Sequence, residues 1–141
     1  MGENYGTSFA AKLISQEKYE EAIEAASKDA VKDPADPQPV YERGVACSAL
    51  GRYADAVADL ERAIELDREE AMLETDFVDD ALFGALLGEA RASKDVAFGV
   101  ARLERYRALF PRGRHAADVD LWSGRLRGEG QDGVIVKERL S

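Results

Sequence analysis

Cysteine and histidine are nearly missing from this chain of 141 residues: there is one of each, Cys47 and His115. One cysteine forbids an intramolecular disulfide and agrees with a reducing compartment, and one of each cannot build a Cys–His zinc site. Gly-rich phosphate loops are lacking, and no serine sits in a nucleophile elbow. Catalysis needs convergent groups, so we expect no enzyme, no catalytic residues, no bound metal and no cofactor. No apolar run approaches the roughly 18 residues of a membrane span. The start, MGENYGTSFAAKLIS, lacks the basic opening and apolar block of a signal peptide. A cytoplasmic protein without membrane insertion is therefore expected. Net positive charge is also lacking: the formal charge is −9, which argues against nucleic acid as a partner, because phosphate affinity rests on a basic surface.

What is present belongs to a folded chain. An apolar share of 45% with 33% charged residues exceeds what disordered sequences carry, and the length suits one domain with its own core. The charge is unevenly spread. Residues 61–80 hold nine acidic against two basic residues, whereas residues 91–127 hold nine basic (Arg91, Lys94, Arg102, Arg105, Arg107, Arg112, Arg114, Arg125 and Arg127) against four acidic.

The chain is organised around residues 37–70, PQPVYERGVACSALGRYADAVADLERAIELDREE. Val40, Gly44 and Cys47 share one helical face. Tyr53, Ala56, Val57, Leu60, Ala63 and Ile64 stripe a second helix at three- and four-residue steps, and Leu50-Gly51-Arg52 is the break between them. Sliding the sequence by 34 residues lays Ala10 on Gly44, Tyr19 on Tyr53, Ala22 on Ala56, Ile23 on Val57 and Ala26 on Leu60. The first repeat thus spans residues 3–36, with Phe9, Ala10 and Leu13 on its first helix. The linker DPADPQP carries three prolines, which keep the flanking helices from fusing.

Residues 68–79 read as an acidic insertion, with Thr75 as the N-cap of the next helix. A diverged third repeat, 80–113, follows at a shift of 43, with Val96 under Tyr53, Gly99 under Ala56 and Leu103 under Leu60. Its helices run roughly 76–92 and 95–110, about Ser93-Lys94-Asp95. Residues 114–127 form a capping helix with Ala117, Leu121, Trp122 and Leu126 on its packed side. The stretch 128–141, with three glycines in its first six residues, reads as a flexible tail. Cys47 is expected to be a buried thiol, His115 a solvated or capping side chain, and Glu69-Glu70 and Asp79-Asp80 a solvated acidic face.

The repeat resembles the tetratricopeptide repeat, and LFPRGRHAADVDLW resembles the joint between repeats in bacterial envelope-assembly proteins of that type. The resemblance covers residues 3 to about 127. It implies an all-α fold: a right-handed α-solenoid of about three helix hairpins plus a C-terminal capping helix, forming one domain over residues 1–127. In that family the first helix of each hairpin lines a concave groove. The resemblance therefore assigns a partner-binding groove to Thr7, Ala11, Tyr41, Val45, Ser48, Gly84, Gly88 and Arg91, with Asn4 and Gln38 beside them. The lysine clamp that co-chaperones of the family use on peptide carboxylates is missing. Two glycines inside one helix, Gly84 and Gly88, cost on the order of 1 kcal/mol each, and close packing within the fold is the first explanation, a bound peptide the second. The expected function is a non-catalytic adaptor that binds a peptide or helix of a protein partner. A basic patch of Arg102, Arg105, Arg107, Arg112 and Arg114 offers a second contact to an acidic segment of that partner. The alternative is a self-assembling scaffold, a homo-oligomer held by acidic-middle to basic-end contacts.

Overall fold

Ser8 opens the first helix: its hydroxyl accepts from the Ala11 amide at 2.9 Å, satisfying one of the donors that a helix start leaves over. A computed structural model describes residues 8–68 and 72–128. Asn4, Thr7, Glu69, Glu70 and the tail from residue 129 onward lie outside the described residues. Seven helices and no strand occur among those described: α1 (Phe9–Ser15), α2 (Tyr19–Lys32), α3 (Pro37–Ala49), α4 (Tyr53–Leu66), α5 (Thr75–Ala92), α6 (Val96–Leu109) and α7 (Ala116–Leu126). The fold class is all-α, in helix hairpins. The chain forms two compact units, Met1–Leu82 and Phe83–Ser141, divided within α5.

In the first unit, α1–α2 and α3–α4 are hairpins closed by one kind of turn. Arg52 N–H donates to Cys47 C=O at 2.9 Å across Gly51, whose φ is 80°. Thirty-four residues earlier, Lys18 N–H donates to Leu13 C=O at 2.8 Å across Glu17, whose φ is 61°. Both are six-to-one closures that place the residue after the helix in the left-handed region. Of the three linker prolines, only Pro34 lies between helices. Pro37 and Pro39 are buried in the first turn of α3, behind the Asp36 cap, where a missing N–H costs nothing.

The core of this unit follows the 34-residue period. Ala10, Ala22 and Ala26 are fully buried, as are Ala56 and Leu60 at the corresponding later positions. Gly44 is where α3 and α4 approach most closely: a Cβ built there would sit 2.8 Å from Leu60 Cγ and 3.3 Å from the Ala56 carbonyl. Leu13, Ala22 and Ala46 cluster with Ile14, Tyr19 and Ile23 packed around them, and each fully buried Leu or Val contributes about 1.5–3 kcal/mol. Phe9 departs from the expected apolar face, being 66% exposed on the first turn of α1. Beyond α4 the Asp67 carboxylate accepts from the amides of Met72 and Leu73. Thr75 is then the first helical residue of α5 rather than its cap.

In the second unit Asp95 caps α6, accepting from Phe98 N–H at 3.2 Å, and Ser93 Oγ accepts from Asp95 N–H at 3.0 Å. Gly99 lets α6 approach α5: its Cβ would lie 3.2 Å from the Ala90 carbonyl and 3.0 Å from a Leu126 methyl. Leu103, Tyr106 and Val119 are fully buried. α7 packs through Val119 and Ser123, while Leu121 is 49% exposed and Ala117 is also outside. Of the expected packed side, Trp122 and Leu126 are half-buried and share the face of Val119 and Ser123, whereas Ala117 and Leu121 face outward; Val119, which stands between two aspartates, was passed over. No helix among the described residues is long and apolar enough to cross a membrane.

Candidate functional site

The α3 face about 100° round from Val40, Gly44 and Cys47 presents Tyr41, Val45 and Ser48, spaced by four and three residues. All three are half-buried, as is Ala11 on α1. Burial raises the Tyr41 hydroxyl above its ordinary range, with Glu42 and Asp80 adding to the shift. In the second unit Gly84, Gly88 and Arg91 repeat the same spacing along α5, with Gly84 and Arg91 exposed and Gly88 half-buried.

At Gly84 the packing explanation fails: a Cβ added there meets no atom of the described residues within 4 Å. Gly44, Gly99 and Gly113 do admit close neighbours, the last lying under the Tyr106 hydroxyl.

The polar centre of the first unit was missed by the sequence reading. Glu42 is 3% exposed, and its Oε2 accepts from Ser8 Oγ and Gln38 Nε2, both at 2.8 Å, while the buried Oε1 has no hydrogen-bond partner among the described residues. Burial raises the Glu42 carboxyl above its ordinary range, opposed by those two hydrogen bonds and reinforced by Asp29 and Asp36. Ser8 and Glu42 are 34 residues apart, so they hold the same place in successive repeats. That coincidence was the available signal.

Over α2, α3 and α4 a cleft of about 320 Å³ is lined by Ile23, Arg43, Cys47, Arg52, Asp55, Ala58 and Asp59. Both of its arginines are paired within the unit. Arg43 makes a two-pronged bond to Asp59 at 2.9 and 3.0 Å and donates to Ser27 Oγ at 3.1 Å, and Arg52 pairs with Glu20. Burial pushes the Cys47 thiol up, with Asp59 and Asp55 adding to it, so the cleft holds no activated nucleophile.

The basic run of the second unit is largely occupied by its own carboxylates. Arg102 pairs with Glu89 at 2.8 Å, and Arg107 binds Glu104 at 2.7 Å and Asp120 at 2.8 Å. Arg107 holds the Asp120 carboxyl below its usual range. Arg105 and Arg114 also take part in interactions within the chain, while Arg112 is exposed. His115 occupies the N-cap position of α7 without a side-chain capping bond. Its ring instead stacks on Phe83 at 4.4 Å, its Nδ1 lies 2.9 Å from Asp118, and its backbone N–H donates to the Tyr106 hydroxyl.

Residues 37–70 match the tetratricopeptide repeat family model. The matched segment is α3, its glycine turn, α4 and the start of the acidic connector. Tetratricopeptide repeats generally mediate protein–protein interaction and are typically non-catalytic. No curated protein and no solved structure matches the chain.

Proposed function

We propose that this protein is a non-catalytic adaptor, cytoplasmic and bacterial, that binds a peptide or helix of a protein partner on the first helices of its hairpins. The strip in the first unit is Ala11, Tyr41, Val45 and Ser48; the second unit carries Gly84, Gly88 and Arg91. The observation behind this reading is Gly84. A glycine on an exposed helix face costs about 1 kcal/mol, and among the described residues no atom lies close enough to require it there. Approach of a partner backbone to a helix without a side chain offsets that cost.

The scaffold alternative draws less support, since Arg102 and Arg107 are neutralised within their own unit. The test is affinity capture from the source cell with mass spectrometry, comparing the natural chain with Gly84→Leu. We expect Gly84→Leu to keep its helical circular dichroism and to lose a partner the natural chain retains. A folded Gly84→Leu that retains every partner would sink the reading.

A further inference from the structure

We propose that Arg91, Trp122 and Arg125 form a docking site for an acidic peptide segment of a partner protein. The inference rests on the adaptor reading and locates one contact of it. Trp122 is half-buried on α7, and two guanidinium carbons lie over its ring, Arg91 at 5.1 Å and Arg125 at 4.8 Å from the centroid.

Two cations over one ring can be no further apart than the sum of those distances, a span comparable with the Debye length of about 10 Å at 0.1 M salt. Neither has a carboxylate partner among the described residues. The carboxylates that might have served are taken: Glu89 is bound to Arg102, and Asp120 to Arg107. The ring attracts each cation but leaves its charge in place. A like-charged pair so held is relieved by an incoming anion.

The geometry also selects the kind of anion. A guanidinium whose carbon lies over an indole, bound to no carboxylate, has N–H donors to offer, and its planar fork matches a carboxylate in two-pronged fashion. Arg91 and Arg125 are both exposed. Leu121, 49% exposed, stands one helical turn before Arg125 on the same face of α7. Carboxylates with an apolar residue beside them therefore fit this surface. The overall charge of −9 disfavours dense polyanions such as nucleic acid.

The assignment differs from the arginine run at 102–114, where the cations are engaged inside the unit. It adds Trp122 and Arg125 to Arg91, the last residue of the α5 strip.

Trp122 is the only tryptophan in the chain, so its fluorescence reports this site alone. The full chain is titrated at low salt with a short peptide of glutamate interspersed with leucine. Controls are the same peptide with glutamine in place of glutamate, and inorganic phosphate. We expect a saturable change in Trp122 emission with the glutamate peptide that weakens as salt rises. Substituting both Arg91→Gln and Arg125→Gln should weaken the peptide by about tenfold or more, since each lost bond is charge-assisted. Arg91→Lys with Arg125→Lys keeps the charge without the fork and should fall between, and it carries the test if the glutamine pair unfolds. Arg62→Gln, which removes a cation on α4 paired with Glu65, should respond like the natural chain, and because the readout is Trp122 emission rather than capture of a partner, this proposal and the adaptor reading fail separately. Unchanged emission with the glutamate peptide, an equal response to the glutamine peptide or to phosphate, or unaltered affinity in the folded arginine variants would each overturn the proposal.

Discussion

Between α1 and α2 the left-handed turn position is Glu17, with φ of 61°; thirty-four residues on, between α3 and α4, it is Gly51, with φ of 80°. The two hairpins close with the same hydrogen bonds, yet they fill the position differently and pack differently behind it. The first sets Ala10 and Ala26 where the second sets Gly44 and Leu60, all of them buried. One backbone thus accommodates a small–small pair or an empty–large pair. The hairpin with glycine at both its turn and its crossing matches the tetratricopeptide repeat family model.

The largest effect should come from Leu60→Ala, which installs the residue of the first hairpin without its partner. A loss of roughly 2–5 kcal/mol is expected in chemical denaturation, and a loss below about 1 kcal/mol would show that Leu60 does not anchor the hairpin. Gly44→Ala should cost about 1–3 kcal/mol, because the added methyl meets Leu60 Cγ at 2.8 Å. Combining the two transplants the first hairpin's pair whole. The double variant should cost less than the sum of the singles by about 0.5–3 kcal/mol, and strict additivity would disprove the compensation.

The joint between the hairpins brings in pH. Glu42 in the fold holds its proton more tightly than in the unfolded chain. Its contribution is therefore fully present below the ordinary carboxylate value and is lost as pH rises through the raised one. One group can tilt stability by no more than about 1.4 kcal/mol per pH unit. Urea midpoints of the natural chain, measured relative to Glu42→Gln, should fall upward of about pH 4.3, the ordinary glutamate value. A flat difference would contradict the burial argument.

At the turns, Gly51→Ala should cost about 1–2 kcal/mol, purely through the backbone, since nothing lies within 4 Å of the added Cβ. Smallest, and opposite in sign, Glu17→Gly should raise the melting midpoint by about 0.5 kcal/mol of stability, strain relief being partly cancelled by a looser unfolded chain. A destabilised Glu17→Gly would mean that the Glu17 side chain contributes something of its own.

Much of the first unit was legible in its residues, because a helix between two others must alternate small and large side chains: Gly44, Cys47, Ala56 and Leu60 declare that face. Glu42 was not legible, since a carboxylate interrupts the apolar period and its burial is explained by its bonds to Ser8 and Gln38. Phe9 misled in the other direction, as an aromatic at a core spacing that the described residues leave exposed. In the second unit Trp122 was read on the packed side of the last helix, where it is half-buried, but the two arginines over its ring were not foreseen. The run of arginines at 102–114 read as a free surface because one sequence cannot show which cations face Glu89, Glu104 or Asp120. The candidate site was therefore legible as a strip along each first helix, and its charged end only in three dimensions.

The spans of the hydrogen bonds in the first unit bear on the order in which it assembles. Arg43 and Asp59 are 16 residues apart, the same separation as Gly44 and Leu60, whereas Ser8 and Glu42, which tie α1 to α3, are 34 apart. Closing the longer loop costs only about 0.6 kcal/mol more per doubling, but it wins its single hydroxyl–carboxylate bond only once α3 already stands. Within the first unit we therefore expect folding to start at the α3–α4 hairpin, where the charge-assisted Arg43–Asp59 pair adds to the local packing, and to spread outward to α1. In kinetic experiments the loss in Leu60→Ala should fall mainly on the folding rate, and that in Ser8→Ala mainly on the unfolding rate.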